Sequence, residues 1–257
     1  MIWRLRLSRA ILRACSLPRN VGGAERHDID PGCVPGKEEN MTGTRQRVAT
    51  LVLILTGVVS LFIAAVTVAE DRWVEGQHYK TLTQPVAVGR GSDVVVTEFF
   101  WYGCGHCYTF EPMLTAWGKQ LPEGAVLQPS PAVWNDSMRI HAKAYYLTEA
   151  LGVKETLHPV IFDAMHVDRK RLVSRLELRD LFEENGVDPE KFDKAFDSFG
   201  VDSQVRQADS RARSAKISGT PSVMVAGKYL IETRSAGGQT NMLEIASFLV
   251  EKELAAR

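Results

Sequence analysis

The sequence predicts an α/β domain interrupted by an all-helical insertion, and three observations carry that expectation. Residues Val94 to Trp101, VVVTEFFW, form a β-branched and aromatic run that reads as a buried strand. Immediately after it, Cys107, Phe110, Met113, Leu114 and Trp117 recur at three- and four-residue spacing, the apolar stripe of an amphipathic helix. Far downstream, Ile217 to Val225 reads as a turn feeding a short strand, and residues 134–216 between are helical in pattern throughout.

In chain order, strands are expected near Pro85–Val88, at 94–101 and near Ala125–Val133. A helix over 105–119 joins the last two as a β-α-β unit. The connection 134–216 is too long for a loop. Its stripes are Met138, His141, Ala142 and Tyr145, then Leu157, Val160, Ile161 and Met165, then Leu176, Leu181 and Phe182. Phe192 with Phe196, and Val205 with Ala208 and Ala212, supply two more. Asp188-Pro189 suits a helix N-cap and first position. A hairpin over 222–232, turning at Ala226 to Tyr229, and a helix over 240–254 complete the domain.

The composition is that of a globular chain with a sizeable core: 257 residues, 45% hydrophobic and 24% charged. Formal net charge is zero, which gives no overall basic field for nucleic acid. The neutrality hides an asymmetry. Residues 1–69 hold nine Lys/Arg against five Asp/Glu, whereas residues 70–257 hold 22 against 26. A basic leader thus precedes a mildly acidic domain.

Within the leader, Val48 to Ala69 is free of charge and long enough to cross a bilayer. Arg45 and Arg47 precede it, Thr67 and Ala69 occupy cleavage-site positions, and Glu70 and Asp71 follow. This describes a secretory signal peptide over 41–69, cleaved near Glu70, with an uncleaved membrane anchor over 48–69 as the rival. Either places residues 70–257 outside the cytoplasm. Residues 1–40 carry Cys15 and Cys33 and read as an extension that is untranslated, with Met41 as the start, or disordered.

The exported part then holds two cysteines, Cys104 and Cys107, in C-G-H-C. Structural zinc wants a second pair, and none exists. Covalent haem attachment wants His after the second Cys, where Tyr108 stands. A staple closing so small a loop is worth only about 2 kcal/mol. The remaining reading is a redox-active dithiol. Gly103 marks the turn and Cys104 falls at the helix start, where unpaired N–H groups and the dipole favour an anion. A cysteine of ordinary pKa is only about 3% thiolate at neutral pH, so this placement matters. Late in the chain, Thr220-Pro221 precedes a strand, a position open to a cis bond.

The stretch E-F-F-W-Y-G-C-G-H-C-Y-T-F-E, Glu98 to Glu111, resembles the active-site segment of the DsbA family of periplasmic thiol:disulfide oxidoreductases. Val74 to Tyr79 resembles that family's mature N-terminus, and Ala142 to Gly152 its first inserted helix; the likeness runs over about 72–250. The resemblance implies a thioredoxin fold with an inserted all-helical subdomain over about 134–216. It implies an enzyme that donates the Cys104–Cys107 disulfide to reduced exported proteins with free cysteines in the periplasm. It also implies re-oxidation by a membrane partner of the DsbB type, action as a monomer, and no cofactor or metal. Two positions depart from the family's commonest pattern, Gly105 where Pro is usual and Thr220 where Val is frequent. Both tune redox strength.

On this reading Cys104 is the nucleophile and Cys107 resolves. His106 donates toward the Cys104 thiolate, Glu98 transfers protons near Cys107, and Thr220 and Pro221 receive the substrate chain. Glu111 and Lys119 are expected on the helix surface. His141, His158 and His166 are expected to pack without chemistry, and Arg169 to Arg171 to form a solvated turn. The rival functions are a disulfide reductase or isomerase, and a dithiol chaperone for a metal or haem.

Overall fold

A computed structural model describes residues 72–89 and 91–257; the leader, Cys15, Cys33 and the cleavage region lie outside the described residues. Five strands make one mixed sheet: β1 (Lys80–Thr81), β2 (Val94–Phe100), β3 (Ala125–Pro131), β4 (Ser222–Val225) and β5 (Tyr229–Glu232), in the order β1-β5-β4-β2-β3. β2 and β3 are parallel, and every other pairing is antiparallel. Parallel neighbours need a crossover, and α1 (Gly105–Gly118) supplies it.

Between β3 and β4 run five helices: α2 (Asp136–Ala150), α3 (Lys154–His166), α4 (Arg175–Glu184), α5 (Pro189–Phe196) and α6 (Phe199–Ala215). A one-turn helix α7 (Thr233–Ala236) and the long α8 (Gln239–Ala255) follow the hairpin. Local chemistry sets several boundaries. Asp188 accepts from the Glu190 and Lys191 N–H groups with Pro189 at the first position of α5. Ser174 and Glu177 form a reciprocal capping box on α4.

The segment Pro85–Val88 is not a strand. Pro85 has no N–H to donate, and the segment makes a single contact of strand type, the Val86 N–H to the Gly227 carbonyl at 2.8 Å. The pairing with β5 falls to Lys80–Thr81 instead. Leu176, assigned above to an apolar stripe, is 63% exposed. Its neighbours Leu178, Leu181 and Phe182 carry the buried face of α4.

β2 is buried except at the half-buried Val95 and serves three packing clusters. Val94 and Val96 pack with α8 and the hairpin, Phe99 with Met138 and Met224, and Phe100 with the helical insertion. The ring of Phe100 lies 5.2 to 6.0 Å from those of Tyr102, Tyr145, His158 and Phe162. One strand therefore ties the inserted helices to the sheet. Phe162 on α3 also meets Tyr102 edge-on at 4.8 Å. Truncating it to Ala would leave a cavity on the line joining α3 to the segment after β2. Phe162→Ala should lower the unfolding free energy by about 3–5 kcal/mol in equilibrium denaturant titration.

Candidate active site

α1 begins where β2 hands the chain over, and the two cysteines fall on either side of that boundary. Cys104 is the N-cap, with extended backbone (φ −91°, ψ 114°), and its N–H is held by the Trp101 carbonyl at 2.9 Å. Gly103 is needed here for space: a Cβ would lie 2.4 Å from the Trp101 ring. Cys107 sits one turn into the helix, fully buried in the cluster around Phe100.

The thiols are free in this structure, and their surroundings separate them chemically. Cys104 is held well below the ordinary thiol range, at about 5. The Cys107 thiol hydrogen-bonded to it is the largest influence. Partial burial opposes ionisation next, and Cys107 together with the smaller help of the Thr220 side chain and the backbone N–H groups of Cys107 and His106 outweighs it. Cys107 goes the other way. Burial first, then donation to Cys104 and the nearby Glu98 carboxyl, push its thiol up and keep it protonated.

The structure brings together Cys104, Cys107, Thr220 and Glu98, and leaves one expected contact unmade. Cys104 Sγ lies 3.3 Å from the Thr220 carbonyl, to which it donates when protonated, and the Thr220–Pro221 bond is cis. Glu98 is wholly buried on β2, opposite Pro129 and Val223, and among the described residues neither carboxylate oxygen has a hydrogen-bond partner. Burial first, then the Glu111 charge and then Cys104, raise its pKa well above the usual carboxylate range. The His106 imidazole is exposed and makes no hydrogen bond among the described residues; it is the His106 backbone that acts on Cys104.

Glu111 and His158 are more than the surface and packing residues expected of them. Glu111 lies one turn beyond Cys107 on the same helix face, 3.4 Å from His158 Nε2, and accepts from the Thr115 hydroxyl at 2.8 Å. Burial would raise Glu111, but the His158 imidazole and the Thr115 hydroxyl outweigh it and lower its pKa. His158 Nδ1 in turn meets the buried Tyr102 hydroxyl at 2.5 Å. The i, i+4 spacing from Cys107 to Glu111 was the available sequence signal.

A carboxyl raised by burial stabilises the folded protein fully below its unfolded pKa, and that contribution is lost as pH rises through the folded value. Between those limits the wild-type protein should shed about 1.4 kcal/mol per pH unit on account of Glu98. Glu98→Gln should lack that slope, so unfolding titrations at several pH values should diverge, the variant gaining on wild type as pH rises from about 4.5.

Comparison with known proteins bears on the fold and the family. The DSBA-like thioredoxin domain family matches at residues 122–249, beginning beyond the two cysteines. The thiol:disulfide interchange protein DsbA of Azotobacter vinelandii is 40% identical over 182 residues, covering 71% of this chain and 85% of that protein. That of Pseudomonas aeruginosa is 34% identical over 205 residues, covering 79% and 97%. The crystal structure of Pseudomonas aeruginosa DsbA superposes with a TM-score of 0.70 at 35% identity, over 73% of this chain and 97% of that one. The oxidoreductase NmDsbA1 of Neisseria meningitidis gives 0.65 at 26% identity, over 73% and 97%. With a thiol pair polarised at a helix start on the same fold, the chain belongs to the DsbA family of thiol:disulfide oxidoreductases.

Proposed function

We propose that Cys104 and Cys107 form the disulfide that this enzyme gives to reduced proteins during oxidative folding in the periplasm. The observation that carries the reading is the split between the thiols, one half-exposed with a pKa of about 5 and the other buried and protonated.

The exchange runs in two displacements. A client thiolate attacks Cys104 Sγ of the disulfide. The new bond joins client and Cys104, and the Cys107 sulfur leaves with the electron pair. Buried as it is, Cys107 needs a proton at once, and the protonated Glu98 carboxyl beside it supplies one. A second client thiolate then attacks the client sulfur of the mixed disulfide and expels Cys104 as a thiolate. The client has lost two electrons and the enzyme has gained them, as Cys104 thiolate and Cys107 thiol. An extended client chain is positioned by the Thr220 backbone beside Pro221 and pairs as an added strand, which asks little of its sequence. His106 then contributes through its backbone, with its exposed imidazole free to meet the client. Re-oxidation falls to a membrane partner of the DsbB type, and the enzyme works as a monomer.

Direction follows from the same split. A thiol whose folded pKa is depressed stabilises the reduced protein above the unfolded thiol pKa, and that stability is lost as pH falls through about 5. The disulfide form has no such group. At neutral pH the protein therefore favours its own dithiol and drives disulfides outward.

Equilibrated with glutathione, the reduced fraction tests this. Reduction should release one proton per enzyme, so the apparent equilibrium constant should climb about tenfold per pH unit between about 5 and 8 and flatten below. A constant independent of pH over that span would refute the assignment. Cys107→Ser should accumulate mixed disulfides with clients, visible as reductant-sensitive heavier species on gels, and Cys104→Ser should give none.

A further inference from the structure

A groove of about 810 Å³ opens beside the redox pair, and neither the exchange chemistry nor the Thr220 loop uses it. Trp101 and Gly103, the residues leading into Cys104, form one side of it. The start of α2 at Asn135 to Ser137 and the end of α3 at Met165 and His166 form two more. The remaining wall is the loop after α3, Arg169-Lys170-Arg171, all three exposed to solvent.

This basic loop is fastened to the active site. His141 Nδ1 accepts from the Trp101 indole N–H at 2.8 Å, and Nε2 donates to the Arg171 carbonyl at 3.0 Å. An indole only donates and a carbonyl only accepts, so the tautomer is fixed and the imidazole neutral. Burial, opposed by the hydrogen bond to Arg171, lowers the His141 pKa and keeps it so. The Lys170 N–H is held by the Ala164 carbonyl at 2.8 Å, and Leu172 is buried beneath the loop. Arg169 and Leu172 adopt left-handed backbone, φ 59° and 52°, a conformation that non-glycine residues rarely hold.

The charge balance of the groove runs against that of the domain. Residues 70–257 carry more acidic than basic side chains, yet the groove walls hold three cations and one carboxylate, Asp136. Among the described residues Lys170 pairs with Glu184 at 3.2 Å, and neither Arg169 nor Arg171 forms an ion pair. Among the described residues these two arginines stand without an ion-pair partner, in a groove that Gly103, the residue before Cys104, also lines.

We propose that this groove receives the client polypeptide flanking its reacting cysteine and selects for acidic residues there, through Arg169 and Arg171. The inference rests on the oxidoreductase reading and adds a client preference to it. Exposed charges act weakly at equilibrium and more strongly on encounter rates, and both effects fade with salt.

The test uses the oxidised protein and three reduced single-cysteine peptides identical except for two Asp, two Lys or two Leu residues on each side of the cysteine. Rates of mixed-disulfide formation at low salt should favour the Asp peptide over the Lys peptide by about fivefold. That ratio should fall toward one at high salt with wild-type protein, a result independent of any variant's folding. Arg169→Glu/Arg171→Glu should invert the preference. Equal rates for the Asp and Lys peptides at low salt, a faster Leu peptide, or a preference that survives the double reversal would each overturn the groove assignment. Failure of wild-type protein to oxidise dithiothreitol would instead overturn the oxidoreductase reading.

Discussion

The structure depends on one asymmetry: a single helix start treats two sulfurs three residues apart in opposite ways. Cys104, at the cap, faces N–H groups that have no partner inside the helix. Cys107, one turn later, is enclosed by aromatic side chains and has lost its water. The burial that raises one thiol makes it a donor to the other, so each sulfur sets the state of its neighbour. Stabilising the Cys104 anion stabilises the dithiol over the disulfide, and that is the thermodynamic meaning of an oxidant.

Enclosing Cys107 creates a proton problem, and the carboxyls near it are arranged around that problem. Among the described residues Glu98 has no hydrogen-bond partner, an arrangement that costs stability. Glu111 is partnered by Thr115 and faces His158, so its proton is held less firmly. Two carboxyls in one region are thus pushed apart, one toward the protonated form and one toward the charged form. The raised group, Glu98, is the one we propose to give a proton to the leaving sulfur and take it back.

Much of this was legible because it is local. The apolar run of β2, the stripe of α1, the C-G-H-C spacing and the Asp188-Pro189 cap are short-range patterns read directly from the chain. What escaped depends on contacts between distant residues. Glu111 is polar on a helix and reads as solvated; only its facing residue on α3, His158, shows otherwise. His141 and His166 were expected only to pack, yet each hydrogen-bonds to the segment leading into Cys104, through Trp101 and the Tyr102 carbonyl at 2.7 Å. The β1 pairing was missed because two residues carry no periodicity, and the apolar Pro85–Val88 looked the better strand.

Those missed contacts share a direction, from the inserted helices inward to the residues just before the cysteines. His158 reaches Tyr102, His166 reaches its carbonyl and stacks on Tyr108 at 4.7 Å, and Phe162 packs on Tyr102. The insertion is therefore part of the site rather than a cover over it. A sheet and one crossover helix suffice to place two thiols at a helix start. Burying Cys107 completely, and surrounding the approach to Cys104 with imidazoles and a basic loop, takes the extra helices. The core chemistry sits on β2 and α1, and the groove that distinguishes this protein's clients is built where the insertion meets them.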